Sequence, residues 1–345
     1  MTQVPERFES VAALEAFMTA PTPALVADLA ALDGDLIVLG VGGKMGPTLA
    51  RMAKRAAPGK RVIGVARFSD PELPRSLAGH GVECIACDLL DRAALERLPN
   101  VRDGVNNVMF MAGHKFGAAG NASLTWAMNV GVPMMVADTF RDARIVAFST
   151  ACVYPYVDVN GNGATEATPS TPPAGDYANS CVGRERMFEY GSRKYGTPGR
   201  AVRLSYAIDM RYGVLFDVAS AVFDGKPLDV TMGHVNVIWQ GDANAHALRL
   251  LAHCTAPATP INITGPKQSV RWLAGEFGKR FGKTPHIVGS EAATAWLIDT
   301  TEAQRLLGPP GIGIDRMIDW VADWVARGQP SLGKATHFST RDGKY

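Results

Sequence analysis

From about residue 36 onward, apolar runs of strand length recur along the chain, and each gives way to a stretch with helical spacing: DLIVLG, RVIGVAR, VECIACD, NNVMFMAG, RIVAFST and RAVRLSYAI. Such runs show little polar alternation, as expected of strands covered on both faces. Strands of that kind alternating with helices predict an α/β fold, a doubly wound parallel sheet. That architecture binds ligands at the carboxyl ends of its strands, so the residues after each strand carry the functional reading.

Ahead of the first strand, VAALEAFM and ALVADLAAL have helical spacing and are separated by the turn material APTP, which makes residues 1–35 a helical N-terminal extension. Residues 36–205 form the sheet core. Beyond it the pattern is mixed, with a strand-like PINITG, a helix around SVRWLAGEFGKRF and an amphipathic helix DRMIDWVADWVAR. Residues 206–327 are therefore expected to form a smaller substrate lobe grown from the same unit, and the polar residues 328–345 a tail that frays or wraps over a partner. Between the fifth strand and the next helix, VNGNGATEATPSTPPAG is rich in Gly, Pro and Thr and reads as a long surface loop near the ligand edge.

Composition narrows the function classes. The 345 residues are 47% hydrophobic and 20% charged, with a formal net charge of +2, the profile of an ordinary soluble enzyme and no electrostatic case for nucleic acid. No apolar stretch approaches the roughly 20 residues that cross a bilayer, so no membrane partner is expected. The start, MTQVPERFESVAALEAF, lacks the basic and apolar regions of a secretory signal. With five cysteines and no export signal, reduced thiols and a cytoplasmic location are the expectation. Cys84 and Cys87 form a CxxC inside a strand pattern, with no second pair to complete a zinc site, and read as small buried hydrophobes; no metal is expected.

The first strand runs into GVGGKMG, in which Gly40, Gly43 and Gly46 make GxxGxxG ahead of a helix that tolerates Pro47 near its start. Glycines there permit a tight turn and let a pyrophosphate approach backbone N–H groups at the positive end of the helix. This makes the fold Rossmann-like and places Lys44 and Met45 beside the cofactor. At the end of the second strand, where a carboxylate would meet a free ribose 2′-OH, Ala66 is followed by Arg67 and Ser69. A guanidinium and no carboxylate favour NADP over NAD, with Lys44 as a further positive charge. Asp88 and Leu89 after the third strand, and Met111 and Ala112 after the fourth, complete the expected cofactor contacts, with Asp88 suited to the adenine.

With the glycine loop in place, AFSTACVYPY, the loop holding Glu166, and DYANSC resemble the extended short-chain dehydrogenase/reductase family, the NAD-dependent epimerase/dehydratase group. The resemblance spans roughly residues 36–325 and takes in Asp88, Asn129 of AMNVGVP and the late NITG. It implies that Thr150, with Ser149 beside it, helps hold the reacting oxygen, and that Tyr177, also near the nicotinamide, moves the proton as hydride travels. It also implies a homodimer paired through helices beside the sheet.

One departure bears on the chemistry. The family's YxxxK begins at Tyr177, but the position of its lysine holds Cys181. A lysine there stabilises a phenolate, lowering a tyrosine pKa from about 10, and a thiol does not. Tyr177 is thus expected to be an acid rather than a base. Lys115 of MAGHKFG, at the ligand edge, and Arg184, on the helical face of Cys181, are the substitute cations within sequence reach. The arginine and asparagine that nucleotide-sugar members use on the diphosphate are replaced by Asn236 and by Ser205 with Tyr206. His114, Tyr154, Tyr206 and Arg211 are the expected substrate contacts, for a sugar-like or other small molecule. The leading expectation is an NAD(P)-dependent oxidoreductase or epimerase; a catalytically weakened dinucleotide sensor and a lyase or isomerase are the alternatives.

Overall fold

The computed structural model describes residues 4–115, 120–334 and 336–341. Its centre is a seven-stranded parallel sheet of β1 (Asp35–Leu39), β2 (Val62–Ala66), β3 (Glu83–Ala86), β4 (Val105–Phe110), β5 (Arg144–Thr150), β6 (Gly199–Leu204) and β7 (Thr259–Ile263). The spatial order is β7-β6-β5-β4-β1-β2-β3. The direction of winding reverses between β1 and β4, and a crevice opens there at the carboxyl edge. All six runs read as strands form in register, and their side chains fill clusters on both faces of the sheet. The seventh strand is the PINITG run, paired with β6 from Thr259↔Arg200 to Ile263↔Leu204. The sheet therefore draws on chain well beyond residue 205, and the core and the second lobe interleave.

The second lobe packs the helices Val214–Asp224, Val270–Phe281 and Ile314–Ala326 around a separate apolar cluster. The N-terminal extension belongs to this cluster through Phe8, Leu14 and Met18. Its first helix, Val11–Met18, is capped by Ser10, whose hydroxyl accepts from the Ala13 N–H at 3.2 Å. Glu15 on that helix pairs with Arg51 at 2.5 Å and Arg211 at 2.9 Å, linking the extension to the helix that follows the glycine loop and to the second lobe.

Over its described part the polar tail packs against its own chain. Phe338 is buried in the second-lobe cluster, Leu332 donates its N–H to Arg211 O at 3.0 Å, and Thr336 bonds Asp217 through both N–H and hydroxyl. Arg341 lies 4.1 Å over the Tyr156 ring and donates to Thr294 O at 2.7 Å. Ala335 and residues 342–345 of the expected tail lie outside the described residues.

Candidate active site

The glycine loop is shaped by contacts that leave no room for side chains. Gly40 has φ +90°, and a Cβ there would stand 2.5 Å from Ala112 N; a Cβ on Gly46 would meet Val41 O at 2.4 Å. Gly43 differs: its nearest neighbour would be Gly40 O at 3.5 Å, so its open side faces the crevice. The helix Gly46–Ala56 begins at Met45 with no side-chain cap, which leaves first-turn N–H groups for an anion. Beside this loop runs a groove of about 650 Å³ bordered by Gly40, Gly43, Arg67, Ser69, Asp88 and Ala112. The groove thus has the size and the backbone donors that a dinucleotide needs, with Arg67 on its border just past β2.

Among the expected cofactor contacts, Leu89 and Met111 also border the groove. Met45 is buried and turns toward a second cavity, and Gly46 packs behind the loop. Lys44 borders the groove as expected, but its ammonium points away from Arg67. Its ammonium donates to Ala207 O at 3.4 Å and stands 3.5 Å over the Tyr212 ring, in the second lobe rather than beside Arg67.

The second cavity, about 160 Å³, holds the expected chemistry: Tyr177, Thr150, Ser149, Lys115 and Tyr206 all line it. It shares Lys44 with the cofactor groove, so the two lie side by side. Thr150 ends β5, and its hydroxyl oxygen accepts from the Cys152 N–H at 3.2 Å. Ser149 is committed elsewhere: its hydroxyl donates to Glu185 Oε1 at 2.5 Å, and Glu185 pairs with Arg203 at 2.7 Å.

Tyr177 opens the helix Asp176–Tyr195, one turn before the fully buried Cys181. Burial pushes the Tyr177 phenol well above its ordinary pKa, and the Cys181 and Cys152 thiols add to the rise while Arg184 opposes it. Burial likewise pushes the Cys181 thiol up to about 11, which disfavours the thiolate a nucleophile needs. Arg184 is buried behind the pair, donating to Phe148 O at 2.8 Å and to Asn129 Oδ1 at 2.6 Å. Asn129 sits in a π-helical turn, Ala127–Gly131, and also bridges His114 and Ser180. Lys115 stands on the open side, its ammonium 5.6 Å from the centre of the Tyr177 ring, with its pKa lowered by burial. Of the two substitute cations, Lys115 lines the cavity and Arg184 braces the helix behind it.

Three expected substrate contacts are placed elsewhere. Tyr154 is buried, its hydroxyl donating to Asn262 Oδ1 at 2.9 Å and accepting from Arg203 at 2.6 Å; the turn at Ala151–Val153 directs it into the core. His114 is held off the cavity by Asn129 and Thr125, each at 2.9 Å. Arg211 borders the cofactor groove, paired with Asp209 at 2.6 Å and with Glu15. The long 159–175 loop does not border the cavity; Ser170 instead caps Arg203 at 2.9 Å. Sequence reasoning missed Trp296 and Thr336, which close the cavity from the far end of the chain. No local pattern marked them. Cys84 and Cys87 are free, and no metal-holding cluster occurs among the described residues. No helix among them is long and apolar enough to cross a membrane.

A seven-stranded Rossmann-like sheet, an uncapped helix behind a glycine turn, and a tyrosine facing the crevice define a dinucleotide-fold protein of the extended short-chain dehydrogenase/reductase type. The chain belongs to the NAD dependent epimerase/dehydratase family, whose model matches residues 36–213. Among solved structures it is similar to a dTDP-glucose 4,6-dehydratase from Bacillus anthracis in complex with NAD (TM-score 0.72, 15% identity, 85% of this chain and 97% of that one). DesIV, a dTDP-glucose 4,6-dehydratase from Streptomyces venezuelae with NAD and TYD bound, superposes with TM-score 0.71 at 21% identity, over 85% and 98% of the two chains. UDP-glucose 4-epimerase from Thermotoga maritima gives TM-score 0.69 at 15% identity, over 85% and 99%. These likenesses show the fold. No curated protein sequence matches the chain.

Proposed function

We propose that the chain is an NAD(P)-dependent oxidoreductase or epimerase acting on a hydroxyl or carbonyl of a sugar-like or other small molecule. The observation that carries this reading is the cavity itself: Tyr177, Thr150 and Lys115 line one space that lies next to the glycine-loop groove, with Lys44 bordering both. Gly40 and Gly43 hold the phosphates of the dinucleotide, Asp88 lies toward the adenine, and Arg67 with Ser69 takes a 2′-phosphate, which favours NADP. When bound, the nicotinamide supplies hydride exchange at a substrate carbon.

The residues of the chain supply the proton. Tyr177 keeps its proton through neutral pH because burial and two thiols surround it, so it donates to a carbonyl oxygen that is gaining negative charge. Thr150 orients the same oxygen. Lys115 adds positive charge to the cavity in place of the missing lysine. Carbonyl reduction is the favoured direction, because removing a proton from an alcohol first requires ionising Tyr177 against its environment.

The test is turnover of a carbonyl and alcohol panel with NADPH, NADH and their oxidised forms, repeated with Tyr177→Phe. Loss of a general acid costs about a hundredfold or more in rate. The expected outcome is that loss with dinucleotide binding unchanged; unaltered turnover removes Tyr177 from the mechanism. Binding without any turnover by the native protein would instead favour a sensor, the reading that Cys181 supports. Tightly held cofactor that never changes redox state in solution would favour an epimerase, lyase or isomerase.

A further inference from the structure

The cavity beside Tyr177 carries a second kind of information, its charge. Among the described residues its lining holds two lysines, Lys44 and Lys115, and no carboxylate. The nearest acids are engaged elsewhere: Asp217 by Thr336, Asp209 by Arg211, and Glu185 by Arg203 and Ser149. Lys44 donates one bond, to Ala207 O at 3.4 Å, and no carboxylate among the described residues pairs with it. It also stands 3.5 Å over the Tyr212 ring, and an ammonium with three donors has hydrogen-bonding capacity beyond these contacts.

Size and lining limit the ligand further. About 160 Å³ is below the roughly 300–1,000 Å³ of sites that take drug-sized molecules. The far wall is made by Trp296, Tyr206 and Tyr212, and by Thr336 of the C-terminal strap, which Asp217 holds in place. Resting on the oxidoreductase reading above, we propose that the substrate is a small organic acid, a monocyclic sugar acid or an aromatic oxo acid, whose carboxylate is held by Lys44 while Tyr177 and Thr150 face its reacting oxygen. Lys115 reinforces the positive field. Lys44 is accordingly the residue that selects acids over neutral analogues.

The electrostatics agree with this placement. Lys44 is exposed toward the groove as a whole residue, but its ammonium is crowded by protein, and desolvation lowers its pKa to about 7, with Lys115 repelling it and Asp209 and Asp217 opposing the shift. An arriving carboxylate relieves that penalty and restores the charge, so acid binding weakens as pH rises above 7.

The test uses matched pairs that differ only in the acid: D-galacturonate against D-galactose, and benzoylformate against its methyl ester. Binding is measured by calorimetry on the full chain saturated with NADP or NAD. At least one acid is expected to bind tenfold or more tightly than its neutral twin, with the preference lost in Lys44→Met and kept in Lys44→Arg, which separates charge from folding. Equal binding within both pairs, binding of neither acid, or an undiminished preference in Lys44→Met overturns the proposal. Turnover of the native protein keeps the two readings apart. Acid preference without hydride transfer in the native protein would sink the oxidoreductase reading and spare this one, whereas turnover confined to neutral substrates would do the reverse.

Discussion

Restoring the family's lysine by Cys181→Lys should damage this protein rather than improve it. Cys181 is fully buried, and packs with Ala151, Val153, Tyr154, Ala164 and Ile298. A lysine there adds volume to a packed cluster, which costs about 1–3 kcal/mol. It also sets an ammonium beside the Arg184 guanidinium, whose own bonds to Phe148 O and Asn129 fix it in place. An uncompensated buried charge costs about 3–5 kcal/mol. Together these remove about 4–8 kcal/mol, a large share of the roughly 5–15 kcal/mol by which a native chain is stable. Urea unfolding followed by tryptophan fluorescence reads the loss as a midpoint lowered by more than about 1 M. Adding Arg184→Met to Cys181→Lys should return part of it, with a coupling of about 1–3 kcal/mol between the neighbours. If Cys181→Lys unfolds at the native midpoint and speeds alcohol oxidation, the lysine has reached the cavity unopposed, and the reasoning that packing and Arg184 exclude a second cation there is wrong.

Three further outcomes follow from particular residues. Arg67→Ala should lower affinity for NADP about tenfold or more while leaving NAD within a factor of two, since a bond to a charged group is worth about 1.5–3 kcal/mol; fluorescence titration with both cofactors checks this, and equal effects would reject Arg67 as the 2′-phosphate contact. His246 is buried, and desolvation depresses its pKa to about 4, so below about pH 6.5 the unfolded chain gains a proton that the folded chain refuses. Stability is lost as pH falls from 6.5 to 4, by about 3 kcal/mol, and His246→Asn should remove that part of the acid sensitivity in urea midpoints at pH 7.5 and 4.5; a variant with unchanged pH dependence refutes it. The implied homodimer would pair the helices beside the sheet, where Met134 (39%) and Tyr190 (49%) are exposed, and light scattering should give twice the 36.8 kDa chain mass; the mass of one chain would end that expectation.

The sheet and the glycine loop were legible because their signals are local. A buried strand must be apolar throughout, and a loop that brings backbone against Ala112 must use glycine at Gly40, so both appear as patterns within a few residues. The fates of Tyr154 and His114 were not legible. Each follows a strand at the ligand edge, as a site residue would, and only tertiary partners, Arg203 with Asn262 and Asn129 with Thr125, turn them away. Trp296 and Thr336 were equally out of reach, because they arrive at the cavity from sequence separations that no periodicity encodes.

The meaning of Cys181 needed both levels. From sequence it reads as a lost charge, and the search for a replacement runs along one helix to Arg184 or across the sheet edge to Lys115. In three dimensions the charge is redistributed: Arg184 occupies the interior behind the helix, Lys115 overlooks the Tyr177 ring, and Lys44 enters from the glycine loop. None of the three stands where a lysine one turn beyond Tyr177 would. A cation on the helix would serve the phenolate, whereas Lys115 and Lys44 line the cavity beside it. On the proposed reading, the substitution shifts positive charge from Tyr177 toward the ligand, in keeping with a phenol whose pKa burial raises and a cavity lined by two lysines and, among the described residues, no carboxylate.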